Sequence, residues 1–284
     1  MISPADFILR KQGGVTIQVD RKIADRAFLS ALGNLDALFA SPQCQIVKDQ
    51  RKIKVARLRL KFAGEERALY VKRYNSFSLR FRLLSPFLQS GAFRSLRGAE
   101  ILRRAGIATV KPVAAVEKRK YGILLNSFFI SDEIVGAKTA DAYWRENLQS
   151  RKGSAGIRLR RQFIRLLGDL FRSLHTEGIY HDDLKDANIL AVGREDDAGC
   201  ELLLLDMEGV RRCDPLSSKR RIKNLVQLYR TLGQYFSKTQ CLLFLKAYLG
   251  SAFHDCKRER VVSVVRRARY VDRLKGQSTR GPVF

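Results

Sequence analysis

One short segment constrains the fold of this chain more than any other. Residues 181–188 read His-Asp-Asp-Leu-Lys-Asp-Ala-Asn, which matches the pattern H-x-D-L-K-x-x-N. At this spacing Asp183 can take the proton of an attacking hydroxyl group, Lys185 can neutralise charge on a moving phosphoryl group, and Asn188 can hold a metal ion. The segment therefore predicts a phosphoryl-transfer loop.

The sequence on both sides of this loop agrees with that prediction. Upstream, apolar residues recur at helical spacing over 163–174, and Gly178 can close the helix. Downstream, the apolar run 202–205 predicts a short strand ending at Asp206, in Asp-Met-Glu-Gly, where protein kinases carry their metal-binding Asp-Phe-Gly. Each polar residue alone would be an ordinary turn residue; their order and spacing favour catalysis.

A site of this kind also needs a lysine on a strand of the amino-terminal lobe. Residues 55–62 alternate apolar and basic side chains, 63–66 can turn, and 67–74 return as a second strand. This predicts a hairpin that carries Lys72 as the phosphate-orienting lysine. The alternative is that Lys72 is one more surface lysine in a basic chain.

A third strand predicts the connection between the two lobes. Residues 127–136 have the form of the strand that joins kinase lobes, with Ser131 bordering the adenine pocket. The backbone of Asp132, Glu133 and Ile134 would then hydrogen-bond adenine, which requires no particular side chain. A buried strand that ends at a glycine turn is an equally compatible interpretation.

Taken together, these segments resemble the bacterial lipopolysaccharide kinases that phosphorylate Kdo or heptose in the lipid A inner core, a family similar to RIO and protein kinases. The resemblance runs from about residue 48 to residue 249. Besides the strand with Lys72 and the loop, it rests on 106–115, which looks like G-I-P-T-P-x-P-V-A-A, and on 221–229, which resembles R-x-x-D-L-x-Q-L-x. The first of these is the most discriminating, because ordinary eukaryotic protein kinases lack it.

The resemblance implies an α+β, two-lobed, protein-kinase-like fold. Residues 1–131 would form a small antiparallel-sheet lobe, 132–136 the hinge and 137–284 a helical lobe. ATP with Mg²⁺ would supply the gamma phosphoryl group, and the acceptor would be a sugar hydroxyl of the inner-core glycolipid. The implied roles are Asp183 as base, Lys185 near the transferred group, Lys72 on the phosphates, and Asn188 and Asp206 as metal ligands.

Some features depart from a typical kinase. The turn at 48–52 reads Lys-Asp-Gln-Arg-Lys and has no glycine to let backbone amides approach phosphates. Glu100 is the only acid in the helix-like stretch 93–105 and is the candidate partner of Lys72, with a solvent-facing acid flanked by arginines as the alternative. No A-P-E sequence occurs in 211–219, which argues against a peptide-docking segment.

Charge and composition predict an anionic partner. The chain has 54 Lys and Arg against 28 Asp and Glu, a formal net charge of +26, which favours lipid A, a phospholipid surface or nucleic acid. Residues 74–88 and 258–275 combine apolar and basic side chains and suit an anionic membrane surface. For 74–88, packing into the lobe is the alternative. No recognition motif accompanies the charge, so no specific nucleic acid is predicted.

The remaining signals concern location and structural residues. No run approaches the roughly 20 apolar residues of a membrane span, and the start lacks a signal peptide, so a cytoplasmic protein is expected, peripheral on the cytoplasmic face of the inner membrane. Five widely spaced cysteines without a C-x-x-C pair indicate neither disulfides nor zinc. His175 and His254 are expected to be structural, and His181 to brace the loop.

Three alternative functions remain open. A RIO-type serine/threonine kinase would place phosphate on a protein. A pseudokinase scaffold is disfavoured because Lys72, Asp183, Asn188 and Asp206 are all present. A nucleic-acid-binding scaffold would use the positive charge directly. The sequence leaves the sugar, its hydroxyl group and the oligomeric state open.

Overall fold

The chain folds into two compact units, seen in a computed structural model that describes residues 6–42, 44–62, 65–75, 84–194 and 199–274. Unit 1 comprises Met1–Arg103 and Val110–Ile134, and unit 2 comprises Arg104–Thr109 and Val135–Phe284. The segment 104–109, inside the predicted amino-terminal lobe, groups with unit 2. The physical reason is a backbone hydrogen bond of 2.9 Å from Leu204 N to Ala108 O.

Unit 1 is built on a seven-stranded sheet in which every pairing is antiparallel, in the spatial order β1-β2-β6-β7-β5-β4-β3. Its strands are β1 Phe7–Gln12, β2 Val15–Asp20, β3 Gln45–Asp49, β4 Ile53–Phe62, β5 Glu65–Asn75, β6 Pro112–Lys120 and β7 Ile123–Asp132. Its helices are α1 Arg26–Gly33, α2 Leu35–Ala40 and α3 Gly91–Arg104.

The predicted hairpin is present as β4 and β5, with Val55 opposite Lys72. Alternation along β5 buries Leu69 and Val71 completely in an apolar core that also contains Phe28 and Leu32 of α1. Lys72 therefore lies on the opposite face of the sheet from this core.

Unit 2 is mainly helical. Its helices are α4 Ala140–Tyr143, extended by a π-helical stretch Trp144–Gln149, then α5 Gly153–Thr176, α6 Ser218–Arg230, α7 Lys238–Leu249 and α8 Phe253–Leu274. Its strands are β8 Lys138–Thr139, β9 Ile179–His181, β10 Ile189–Gly193, β11 Cys200–Leu204 and β12 Val210–Arg212. They form a three-stranded sheet, β11-β10-β8, and a two-stranded one, β12-β9.

The predicted helix before the loop is α5, whose apolar face is buried at Phe163, Leu167, Phe171 and Leu174. Beyond it, Gly178 has a positive φ of 66° and turns the chain into β9. The predicted α+β class is confirmed, with an antiparallel sheet in unit 1 and helices dominating unit 2. Over the described ranges, no helix combines the length and the apolar character needed to cross a membrane.

Candidate active site

Two strand pairings bring the loop 182–188 next to the segment that begins at Asp206. β9 pairs with β12, with His181 opposite Val210, and β10 pairs with β11, with Ile189 opposite Leu204. Between these pairings, Leu205 N donates to Asn188 O at 2.9 Å. The two segments that the sequence selected are thus neighbours in unit 2.

The side chains of Asp183, Lys185 and Asn188 converge within this loop. Lys185 Nζ lies 2.7 Å from Asp183 Oδ2. Asn188 Nδ2 donates to Asp183 O at 2.7 Å and to Oδ2 at 3.2 Å. Both side-chain contacts use Oδ2, so Oδ1 has no partner among the residues that the structure describes, and the Asp183 side chain is 49% exposed. This leaves Oδ1 available to accept a proton.

Asn188 and Asp206 offer oxygen atoms for a cation. Because Asn188 donates through Nδ2, its Oδ1 is left as an acceptor. Asp206 adopts the left-handed conformation, with φ 57° and ψ 53°, which is uncommon outside glycine and concentrates at functional sites. No group of three His, Cys, Asp or Glu in the described ranges could hold a metal ion. Mg²⁺ suits such a sparse set, because it keeps waters and binds substrate phosphates.

The segment 106–109 anchors the strand that leads to Asp206. Thr109 Oγ1 donates to Leu204 O at 2.7 Å, and Ala108 O accepts from Leu204 N. The sequence singled out this segment by its resemblance but assigned it no role. In the structure it fixes the backbone two residues before Asp206.

His181 joins the loop to the same strand. Its Nδ1 accepts from the Asp183 N–H at 3.2 Å, so the proton of the neutral ring is on Nε2, which donates to Leu205 O at 2.9 Å. Burial lowers the pKa of His181 and favours this neutral form. The prediction that His181 braces the loop is confirmed.

Three polar side chains, two on α6 and one just beyond its end, hold the backbone of the loop. They are spaced three and four residues apart and therefore share one helix face. Asn224 Nδ2 donates to His181 O at 2.6 Å, Gln227 Nε2 donates to Asp182 O at 2.7 Å, and Thr231 Oγ1 accepts from Asp186 N at 3.4 Å. Asn224 and Gln227 belong to the segment 221–229 that the sequence singled out, but these residues were assigned no role, and Thr231 was not selected. Polar positions at helical spacing in 221–231 were the available signal.

The two adjacent aspartates occupy different environments. Asp182 accepts from Tyr180 Oη at 3.0 Å, from Arg211 at 2.7 Å and from Lys223 at 3.2 Å. Burial alone would raise the pKa of Asp182, but the hydrogen bonds and charges of these partners outweigh it and lower the pKa. Asp182 is therefore held as an anion by three partners, whereas Asp183 keeps Oδ1 without a partner among the described residues.

A buried histidine connects the helices to this network. His175 Nδ1 lies 2.9 Å from Tyr248 Oη, and Nε2 lies 3.4 Å from Asn224 Oδ1. Burial lowers the pKa of His175 to about 4, with the charges of Arg221 and Arg260 acting in the same direction. The ring is neutral at pH 7, as suits a side chain that is 1% exposed.

The burial of His175 predicts a loss of stability in acid. Its folded pKa of about 4 lies below the unperturbed value of 6.5, so the unfolded chain binds the proton first and stability falls between pH 6.5 and pH 4. The linkage amounts to about 2 kcal/mol by pH 5. Urea unfolding at pH 7.5, 6 and 5 should show a flatter dependence for His175→Gln than for the wild type. The exposed His254 provides the control, because His254→Gln should leave the wild-type slope unchanged. Parallel curves for wild type and His175→Gln would contradict this prediction.

The predicted residues of unit 1 lie on one face of the sheet and on α3. Lys72 Nζ lies 5.0 Å from the ring centroid of Tyr74, and Tyr74 Oη lies 2.7 Å from Ser95 Oγ of α3. Glu100, also on α3, binds Arg103 through two hydrogen bonds of 2.7 and 2.8 Å. The pairing of Glu100 with Lys72 stays a prediction.

Two of the three backbone amides that the sequence predicted to contact adenine already have backbone partners in the structure. The amide of Asp132 donates to Lys111 O and that of Glu133 donates to Ala68 O, both at 3.0 Å. Across the described part of the chain, the Ile134 amide is the one N–H of the three without a backbone partner. The N–H of Ile134 is therefore the amide of the three that is left for the predicted contact.

Known proteins resemble this chain over the region that contains all these residues. A profile of the lipopolysaccharide kinase (Kdo/WaaP) family matches residues 41–248. Lipopolysaccharide core heptose(I) kinase WaaP of Escherichia coli (strain K12) is 26% identical over 184 residues, or 62% of this chain and 64% of that protein. The chain thus matches somewhat less than two thirds of that relative's length.

A solved structure shares the fold. WaaP in complex with acyl carrier protein superposes with a TM-score of 0.64 and 19% identity, covering 88% of this chain and 97% of that one. At this identity the likeness is one of fold.

Proposed function

Because the chain belongs to the lipopolysaccharide kinase (Kdo/WaaP) family, we propose that it transfers the gamma phosphoryl group of ATP to a sugar hydroxyl of the lipopolysaccharide inner core. One observation carries the proposal beyond family membership. The accessible carboxylate of Asp183 is held by Lys185 and Asn188 through Oδ2, with Oδ1 left for the acceptor.

In the proposed reaction Asp183 Oδ1 takes the proton of the acceptor hydroxyl. The hydroxyl oxygen bonds to the gamma phosphorus as the bond from that phosphorus to the bridging oxygen of ADP breaks. Lys185, already 2.7 Å from Asp183, brings a positive charge to the transferred group. The loop needs little rearrangement, because His181 and the α6 side chains already hold its backbone.

The residues that would hold the nucleotide are those that the sequence selected. Asn188 Oδ1 and the Asp206 carboxylate suit Mg²⁺, which supplies charge neutralisation on the ATP phosphates. We assign Lys72 to the phosphates, Glu100 as its candidate partner, and the backbone of Asp132, Glu133 and Ile134 to adenine. The position of Lys72 on the sheet face away from the apolar core supports its assignment to the phosphates.

The acceptor sugar is Kdo or heptose. The matched relative from Escherichia coli is named a heptose(I) kinase, which favours heptose as the first substrate to try. The family description also names Kdo, so both sugars belong in the test.

The net charge of +26 would favour binding to an anionic glycolipid and to the membrane that contains it. We propose that the protein works peripherally on the cytoplasmic face of the inner membrane. On α8 the arginines 266, 269 and 273 are exposed beside Tyr270, while Val264 and Val265 pack against Val226 and Tyr229.

Two further points concern partners. Residues 76–83 of the predicted membrane-facing segment 74–88 lie outside the residues that the structure describes. Acyl carrier protein, the partner in the solved WaaP structure, was not predicted here and is a further candidate.

The direct test is transfer to defined acceptors. Purified protein, labelled ATP and Mg²⁺ would be incubated with lipid A carrying Kdo alone or Kdo and heptose, with Asp183→Asn as the inactive control. We expect one phosphate on the glycolipid, located by mass spectrometry. Label on the enzyme or on an added protein, with none on either glycolipid, would favour the RIO-type alternative. Absence of ATP turnover with all acceptors would favour a pseudokinase.

A further inference from the structure

An exposed apolar surface lies in unit 1, at the turn between β6 and β7 and in the segment before α3. Of fourteen large apolar side chains that are exposed in the described ranges, five belong to two segments, 84–88 and 121–125. Phe87 is 88% exposed and Tyr121 is 92% exposed. The other three members are Leu84, Leu88 and Leu125. We call these five residues the apolar patch.

Arg119, at the end of β6, ties the two segments together. Its guanidinium donates to carbonyl oxygens on both, namely Ser85 O at 2.9 Å, Leu88 O at 3.0 Å and Gly122 O at 3.0 Å. A separate bond of 2.9 Å runs from Leu124 N to Ser85 Oγ. The patch is therefore a fixed surface built from parts of the chain more than thirty residues apart.

The turn that presents Tyr121 is strained. Tyr121 has a φ of 51° and is followed by Gly122 with a φ of 79°, which is the pattern of a tight hairpin turn that favours Asn or Gly at its first position. An aromatic side chain there costs stability and gains no burial. Strain of this kind is retained where the side chain has another use.

The surroundings of the patch are positively charged. Lys120 Nζ lies 5.6 Å from the ring centroid of Tyr121, and the nearby acid Glu117 is paired with Arg119 at 3.1 Å. The sequence has no Asp or Glu between Arg67 and Ala99. An apolar tip with a basic border matches a bilayer that carries anionic headgroups, because acyl chains take the apolar groups and phosphates take the cations.

We propose that the apolar patch inserts into an anionic lipid surface, with Phe87 and Tyr121 entering the headgroup boundary. The proposal rests on the proposed function in one respect, since a glycolipid acceptor gives the docking its purpose. A lipid surface is favoured over a second copy of the chain, because two such basic borders would repel each other.

A fluorescent reporter tests insertion directly. The chain has one tryptophan, Trp144, which is 2% exposed, so Phe87→Trp adds an exposed second one. With vesicles of phosphatidylcholine and phosphatidylglycerol we expect a blue shift of the added emission and quenching by brominated acyl chains. Leu9→Trp, at an exposed position on β1, should show neither. Binding of both variants without a blue shift or quenching at residue 87 would overturn the proposal.

Tyr121→Asn separates docking from folding. Asparagine suits the turn, so the melting temperature should be kept or raised, whereas vesicle affinity should fall about tenfold because a buried aromatic group is lost. Unchanged vesicle affinity would contradict the proposal. So would light scattering that shows the wild type as a dimer and Tyr121→Asn as a monomer.

Transfer to a water-soluble, deacylated acceptor should be the same in wild type and Tyr121→Asn. If that acceptor is never phosphorylated while insertion occurs, the proposed function fails and the docking surface stands.

Discussion

Asp183→Asn is expected to lower phosphoryl transfer by about a hundredfold to ten-thousandfold, the range for loss of a general base, while ATP binding stays close to wild type. The reason is that Asp183 Oδ1 is the accessible oxygen for the acceptor proton, and the loop is held by other residues. Turnover by labelled phosphate transfer and nucleotide affinity by titration calorimetry would be measured on the same preparation.

Asp206→Asn is expected to differ from Asp183→Asn in its effect on nucleotide binding. Because Asp206 is assigned to the metal, its loss should weaken Mg²⁺-dependent nucleotide binding as well as turnover. Asparagine also tolerates the left-handed conformation at this position, so the fold should be kept. A matched control is Asp169→Asn, which removes a surface acid paired with Arg172 on α5. Near-wild-type turnover in both Asp183→Asn and Asp206→Asn would refute the assignment of the site.

Lys72→Ala is expected to lower turnover at least about a hundredfold, the scale for losing a preorganised charge at the reacting group. Lys72 lies on the sheet face away from the apolar core, so the effect should appear in turnover and nucleotide affinity, with little change in melting temperature. The exposed Lys61 on β4 is the matched control in the same sheet, and Lys61→Ala should behave like wild type.

Substitution of the neighbouring Arg73 tests which face of β5 carries the phosphate-orienting residue. It points to the other side, where it pairs with Asp36 of α2 at 3.0 Å and lies 5.7 Å from the ring of Phe128. Arg73→Ala should therefore lower the melting temperature and leave the turnover of the folded protein less affected than Lys72→Ala does. If Arg73→Ala cost more turnover than Lys72→Ala, Lys72 would not be the phosphate-orienting residue.

The parts of the site that sequence reasoning found are those whose contacts are local. Asp183, Lys185 and Asn188 meet within six consecutive residues, so their spacing carries their geometry. The hairpin of β4 and β5 likewise follows from period-two alternation on either side of a turn. Local periodicity also predicted the helix before the loop, because it records which face of an element is buried, whereas the antiparallel sheet and the helical unit as a whole were implied by the resemblance to the lipopolysaccharide kinases.

Only the tertiary structure revealed the contacts between residues that are far apart in the sequence. Asn224 reaches the loop from more than forty residues away, Thr109 reaches Leu204 from more than ninety, and Arg119 joins the two segments of the apolar patch. Each is a polar side chain bonded to a backbone carbonyl, and any carbonyl of suitable geometry accepts such a bond, so the sequence carries no mark of the partner. Spacing along the chain determined the prediction of the loop 182–188 as a phosphoryl-transfer loop; only the folded backbone determined which distant residues hold that loop in place.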